Sequence, residues 1–148
     1  MDEPSADASL QRATSAARTA LVTALGTNRP DEAAALYVVD ARLLAPSAEV
    51  IEGRASIEAY WRAGLEAGID EIVLEPIELG CHQAAAFEIG RYRMRLAPSG
   101  DSAVVDRGNY LVVHRLDADG SWRWAIQTFN PDRPPGPHLD SKRRSMAG

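Results

Sequence analysis

An α+β fold is predicted by three observations. Helical periodicity is confined to the first 68 residues, strand-like alternation fills the chain from Ile69 onward, and 148 residues suit one domain rather than two. Helices first and an antiparallel meander after is not the alternating order of a parallel α/β sheet. Leu10, Ala13, Ala17, Leu21 and Ala24 recur every three or four residues, so a first helix has one apolar face, and Gly26 supplies a left-handed stop. Pro30 opens a second, short helix with Asp31 and Glu32 at its positive end, continuing from Ala33 to Tyr37. A short strand, Ala41 to Ala45, is closed by Pro46. A third helix follows Gly53, with Ile57, Tyr60, Trp61 and Leu65 on one side and Gly68 at its end.

The strands come next. Ile69 to Gly80 contains Pro76, which marks a bulge or an edge position. Ala84 to Leu96 carries Phe87, Ile89, Tyr92 and Met94 and ends at Pro98-Ser99-Gly100. Val104 to Leu116 is strongly β-branched and runs into the turn Asp117-Ala118-Asp119-Gly120, and Trp122 to Phe129 returns as the last strand. Residues 1–132 are expected to form the domain. Residues 133–148 are a Pro-rich tail, predicted to be disordered, whose Lys-Arg-Arg run reads as a solvated end.

Composition narrows the function classes. An apolar fraction of 45% supports a real core, and 16 Lys+Arg against 21 Asp+Glu give a net charge of −5. Nucleic-acid binding draws on a cationic face, which this balance does not favour. Fifteen of the basic residues are Arg and Lys142 is the only Lys, a pattern of GC-rich coding more than of chemistry. One cysteine, Cys81, forbids an internal disulfide. The start MDEPSADASL is acidic and polar, unlike a secretory signal, and no apolar run approaches the ~20 residues of a membrane span. A soluble, cytoplasmic protein without membrane or nucleic-acid partners is expected.

No phosphate loop, dinucleotide fingerprint, zinc helix or nucleophile elbow is present. Cys81 and His82 share a turn, His114 stands alone in a strand and His138 lies in the tail, so no metal site is expected. Asp117 and Asp119 belong to a turn rather than a calcium loop.

The segment Leu36-Tyr37-Val38-Val39-Asp40-Ala41, then Pro46, then Glu52-Gly53-Arg54 leading to Ile57 and Tyr60-Trp61, resembles the ketosteroid isomerase / SnoaL-like superfamily, which has the nuclear-transport-factor-2-like fold. Gly90-Arg91-Tyr92, Gly108-Asn109-Tyr110-Leu111-Val112-Val113, Gly120-x-Trp122 and Phe129-Asn130 extend the resemblance over residues 8–132. It implies a bent sheet wrapping three helices into a cone with an apolar pocket, a cofactor-free domain, and a homodimer paired through the outer face of the sheet. By this resemblance and strand parity, Phe87, Ile89, Arg91, Asn109, Leu111, Val113, Ala125, Gln127 and Phe129 face the pocket, with Tyr37 and Trp61 as supporting aromatics. Trp122, Trp124 and Ile126 fall on the opposite face, where they cover a dimer interface or belong to the core.

The superfamily's catalytic groups are replaced. The isomerase base position is Ala45, the oxyanion tyrosine falls near Thr19, the partner acid falls near Asn109, and the late acid of the cyclases becomes Gln127 or Asn130. The ligand pocket is therefore expected at Tyr37, Trp61, Phe87, Arg91, Asn109, Gln127 and Phe129. Asn109, Asp106 and Glu88 are the catalytic candidates. Bland alternatives stand beside several of these residues: Asn109 bonded to backbone, Arg91 turned to solvent and Asp40 starting a strand, while only geometry can place Asp106 and Glu88, and His114 falls opposite the pocket by parity. The implied function is binding of a small apolar ligand, with proton-transfer chemistry (isomerisation, cyclisation or dehydration) on a carbonyl-bearing substrate. The alternative is a non-catalytic dimerisation or partner-binding module. A pocket closed by Leu21, Trp61 and Phe129 favours the module, and Asp106 or Glu88 within reach of Asn109 favours an enzyme.

Overall fold

The computed structural model describes residues 6–98 and 102–132; the Pro-rich tail with its Lys-Arg-Arg run, and Ser99-Gly100, lie outside the described residues. The elements are α1 (Ala6–Gly26), α2 (Pro30–Ala34), β1 (Tyr37–Leu44), β2 (Ile51–Glu52), α3 (Arg54–Glu66), β3 (Ile69–His82), β4 (Ala85–Leu96), β5 (Val104–Leu116) and β6 (Trp122–Pro131). The three helices all come before the β3–β6 meander, and the six strands form one sheet of order β2-β1-β6-β5-β4-β3, which is the expected α+β arrangement. β1 runs parallel to β6, and every other pairing is antiparallel. Among the described residues no helix is long and apolar enough to cross a membrane.

Local chemistry explains most boundaries. Pro30 sits in the first turn of α2, where its missing N–H is not needed. Gly68 ends α3 at φ +117, and a Cβ there would lie 2.9 Å from the Pro98 nitrogen, so only glycine fits both the conformation and the space. Pro76 lies at a register shift in β3, an edge strand, where no ladder partner asks for its missing N–H. The left-handed turn after α1 falls at Asn28 rather than Gly26, and asparagine tolerates that conformation. α2 ends at Ala34, and Tyr37 opens β1 instead of ending the helix, four residues before the expected strand start at Ala41. Tyr37, Val38 and Val39 are β-formers, and the Trp124 amide donates to the Leu36 carbonyl at 2.9 Å as β6 pairs alongside.

The helices cover one face of the sheet. Leu21, Tyr37, Ala41, Leu43, Ile57, Trp61, Val112 and Trp124 are fully buried between the two layers. On β4 the buried residues are Ala86, Glu88, Gly90, Tyr92 and Met94, and on β5 Gly108, Tyr110, Val112 and His114. Phe87, Ile89, Arg91 and Asn109 therefore stand on the outer face, which corrects the facing expected from parity. The physical cause is that the outer face of these strands is the more apolar one at 87, 89, 111 and 113. The inner face mixes Tyr92, Met94, Tyr110 and Val112 with Glu88, His114 and two glycines, so alternation of apolar and polar residues does not mark it. In β6 a register shift opposite Val113 and His114 turns both Trp124 and Gln127 inward, so Trp124 belongs to the core.

Candidate functional site

The most concentrated chemistry in the interior is a carboxylate beneath α1. Glu88, in the middle of β4, is 0% exposed. The Tyr110 hydroxyl donates to its Oε2 at 2.5 Å, His114 Nε2 lies 3.2 Å from its Oε1, and Arg18 Nη1 of α1 is 3.0 Å from the same oxygen. Two residues on β5, four apart, thus approach Glu88 from one neighbouring strand, and the helix closes from above. Gly90 makes this possible. A side chain there would overlap the Tyr110 ring and come within 2.5 Å of the Glu75 carbonyl, so the phenol lies across β4 only because position 90 is bare.

Burial works against the charge of Glu88, but His114, Tyr110 and Arg18 together outweigh it, and the carboxyl sits below its ordinary value of 4.5. Burial first, and then the hydrogen bond to Glu88, push the Tyr110 phenol well above its usual range. At neutral pH the pair is therefore carboxylate and neutral phenol. A carboxyl depressed in the folded state adds stability that is complete above the unfolded value and lost as pH falls through the folded one. The stability gap between wild type and Glu88→Gln should accordingly be constant near neutrality and shrink below about pH 4.5, read by urea unfolding at a series of pH values.

A second buried network lies at the other end of the core. Tyr37 donates its hydroxyl to Gln127 Oε1 and accepts from Trp61 Nε1 at 3.1 Å. Arg54 clamps the Tyr37 carbonyl with Nε and Nη2 at 3.0 and 2.6 Å. Burial pushes the Tyr37 phenol far up, so it remains a protonated donor. Trp124 stands between the networks, packing edge-on with Tyr37 at 5.5 Å and with His114 at 6.1 Å. Near the start of β5, Asp106 accepts from the Tyr92 hydroxyl at 2.9 Å, and Tyr92 packs edge-on with Phe129.

The structure brings Tyr37, Trp61 and Gln127 together inside the domain, with Phe129 buried nearby. Phe87, Arg91 and Asn109 are separated from them by the sheet. Arg91 pairs with Asp132 at 2.7 Å on the exposed face, and Asn109 stands beside Arg91 and Asn130 in register. Glu88 lies on the inner face, Asp106 accepts from the inward Tyr92, and Asn109 is on the outer face, so neither candidate acid is grouped with Asn109. Asp40 is exposed and pairs with Arg115 at 2.7 Å, and that hydrogen bond holds its carboxyl below the usual range. His114 is buried against Glu88, a correction to its expected place opposite the pocket. Arg18, Tyr110 and His114 were the residues that sequence reasoning missed. A signal existed: Arg91, Arg93 and Arg95 alternate with Tyr92, Met94 and Leu96, and three arginines in a row on one parity mark the solvent side, placing Glu88 inside.

Beside the cluster lies a cleft of about 440 Å³ between α1 and β3, lined by Gln11, Thr14, Ser15, Arg18, Pro76, Ile77, Glu78 and Leu79. Arg18 belongs to both the cleft and the cluster, with its side chain 17% exposed. A carboxylate bonded to an imidazole and a phenol can hold and relay a proton, with the guanidinium offsetting charge. Among the described residues, no three His, Cys, Asp or Glu side chains gather at metal-ligand spacing.

Residues 19–125 match the model of the SnoaL-like domain. A ketosteroid isomerase-like protein from Erwinia carotovora atroseptica superposes with a TM-score of 0.73 at 19% identity, covering 83% of this chain and 96% of that one. A nuclear transport factor 2-like superfamily protein from Salmonella enterica serovar Typhimurium gives 0.76 at 11% identity, covering 89% and 97%. A nuclear transport factor 2-like protein with a cystatin-like fold from Novosphingobium aromaticivorans gives 0.71 at 17% identity, covering 92% and 94%. Among curated proteins none matches the sequence. Identities this low carry the fold and not the activity.

Proposed function

The chain belongs to the SnoaL-like domain family, and on that premise we propose that it is a small-molecule-binding domain whose site is the polar cluster beneath α1. One observation carries this reading: Glu88 is fully buried yet charged, held by Tyr110, His114 and Arg18, and Arg18 also lines a neighbouring cleft of ligand size. Apolar residues of similar volume are commonly as stable as such a cluster, so stability alone does not call for it. The chemistry it supports is cofactor-free proton transfer on an apolar ligand bearing a carbonyl, with the Glu88–His114 pair exchanging the proton and Tyr110 holding the carboxylate through its hydroxyl. Cys81 is free and exposed, which suits a reducing, cytoplasmic setting.

Solvent exchange tests the chemistry. Acetophenone in D₂O should lose its methyl proton signal faster with the protein than without, and Glu88→Gln and His114→Ala should return the rate to background. Unaccelerated exchange with the wild type would contradict proton transfer.

A second reading draws on the outer face of the sheet. Phe87, Val113 and Ile126 lie side by side in register, next to Ile89 and Leu111, and three of the five are more than a third exposed. Gly80 lets the Phe87 ring lie over β3, since a side chain there would overlap it. We propose that a second copy of the chain covers this patch. Light scattering at micromolar concentration should give a dimer, and Leu111→Asp/Ile126→Asp a monomer. A monomeric wild type would remove this reading.

A further inference from the structure

We propose that Arg18 positions a neutral, oxygen-bearing ligand in the α1–β3 cleft, and that the cleft discriminates against carboxylates; this rests on the reading of the Glu88 cluster as a small-molecule site. Arg18 both lines the cleft and touches the buried carboxylate, with Nη1 3.0 Å from Glu88 Oε1. A guanidinium carries five N–H donors in a rigid fork. Glu88 occupies one nitrogen, and among the described residues no other acceptor meets the rest. Arg18 therefore has donors to offer to a ligand oxygen without releasing Glu88.

Charge then selects the class of ligand. Glu88 cancels the charge of Arg18, and Glu78 adds a further carboxylate to the cleft wall. An entering carboxylate would meet two carboxylates for one guanidinium, whereas a ketone, amide or alcohol oxygen accepts the N–H groups without that repulsion. Pro76, Ile77 and Leu79 supply an apolar wall, Ile77 standing 65% exposed beside the Pro76–Glu78 register shift, and Gln11 and Ser15 give a polar rim. About 440 Å³ accommodates a single small ring with its substituent.

Acetophenone and benzoate, which share a ring and differ in charge, separate the possibilities in ligand-observed NMR titrations at pH 7. The wild type should bind acetophenone at least tenfold more tightly than benzoate. Arg18→Met leaves Glu88 stranded, so the informative variant is Arg18→Met/Glu88→Gln, which removes both charges together; its fold is checked by circular dichroism. The double variant should bind acetophenone at least tenfold more weakly, with benzoate still weak. Equal or tighter binding of benzoate by the wild type, or undiminished acetophenone binding by the double variant, would overturn this inference alone. Saturable binding of neither ligand by the wild type would overturn it together with the small-molecule reading.

Discussion

Glu88→Ala should lower the free energy of unfolding by about 3–5 kcal/mol, because it strands a guanidinium, an imidazole and a phenol in the interior. All three partners now converge on one buried carboxylate, Tyr110 at 2.5 Å, Arg18 at 3.0 Å and His114 at 3.2 Å. Glu88→Gln retains an acceptor for Tyr110 and fills the same volume, so its loss should be smaller. Pairing it with Arg18→Met should recover part of that loss, since two charges that leave together leave none unpaired. Urea unfolding of the four proteins measures each step, and a loss under about 1 kcal/mol for Glu88→Ala would mean that the cluster is not coupled to folding.

The second large effect belongs to Trp61. It is fully buried on α3, packs edge-on with Tyr60 at 5.2 Å, and donates to Tyr37, which in turn holds Gln127. Trp61→Ala should cost about 3–5 kcal/mol, from the cavity and the lost apolar burial. Trp61→Phe keeps a ring in the site but loses the N–H to Tyr37 and part of the indole's volume, so a smaller loss of about 1–3 kcal/mol is expected. Thermal and urea unfolding distinguish the two. Equal losses for the two variants would mean that a ring in this site adds nothing beyond what the indole N–H and the lost atoms supply.

The sequence made the element order legible because each signal was local: the Leu10-to-Ala24 spacing, Pro30, Gly68, Pro76 and the Asp117–Gly120 turn all act within a few residues. Which face of β4 and β5 points inward was not local. Phe87 and Ile89 beside Leu111 and Val113 look like core, yet they form the outer patch, while Glu88 and His114 satisfy each other inside. A buried charge is tolerable only when its partners are known, and these come from α1 and β5, 70 residues away in one case and 22 to 26 in the others. The extra residue in β6 that turns both Trp124 and Gln127 inward likewise depends on the register with β5. Tyr37, Trp61 and Gln127, named from the resemblance, do meet inside, but as one hydrogen-bonded network distinct from the Glu88 cluster.

The central claim is that a small molecule enters beneath α1 and not on the outer face of the sheet. Methyl-labelled protein titrated with acetophenone tests it directly, because the two surfaces carry different methyl groups. Saturable shifts at Thr14, Ile77 and Leu79, which line the α1–β3 cleft, are the predicted result. Shifts confined to Leu111, Val113 and Ile126, or no shifts at either surface, would contradict it.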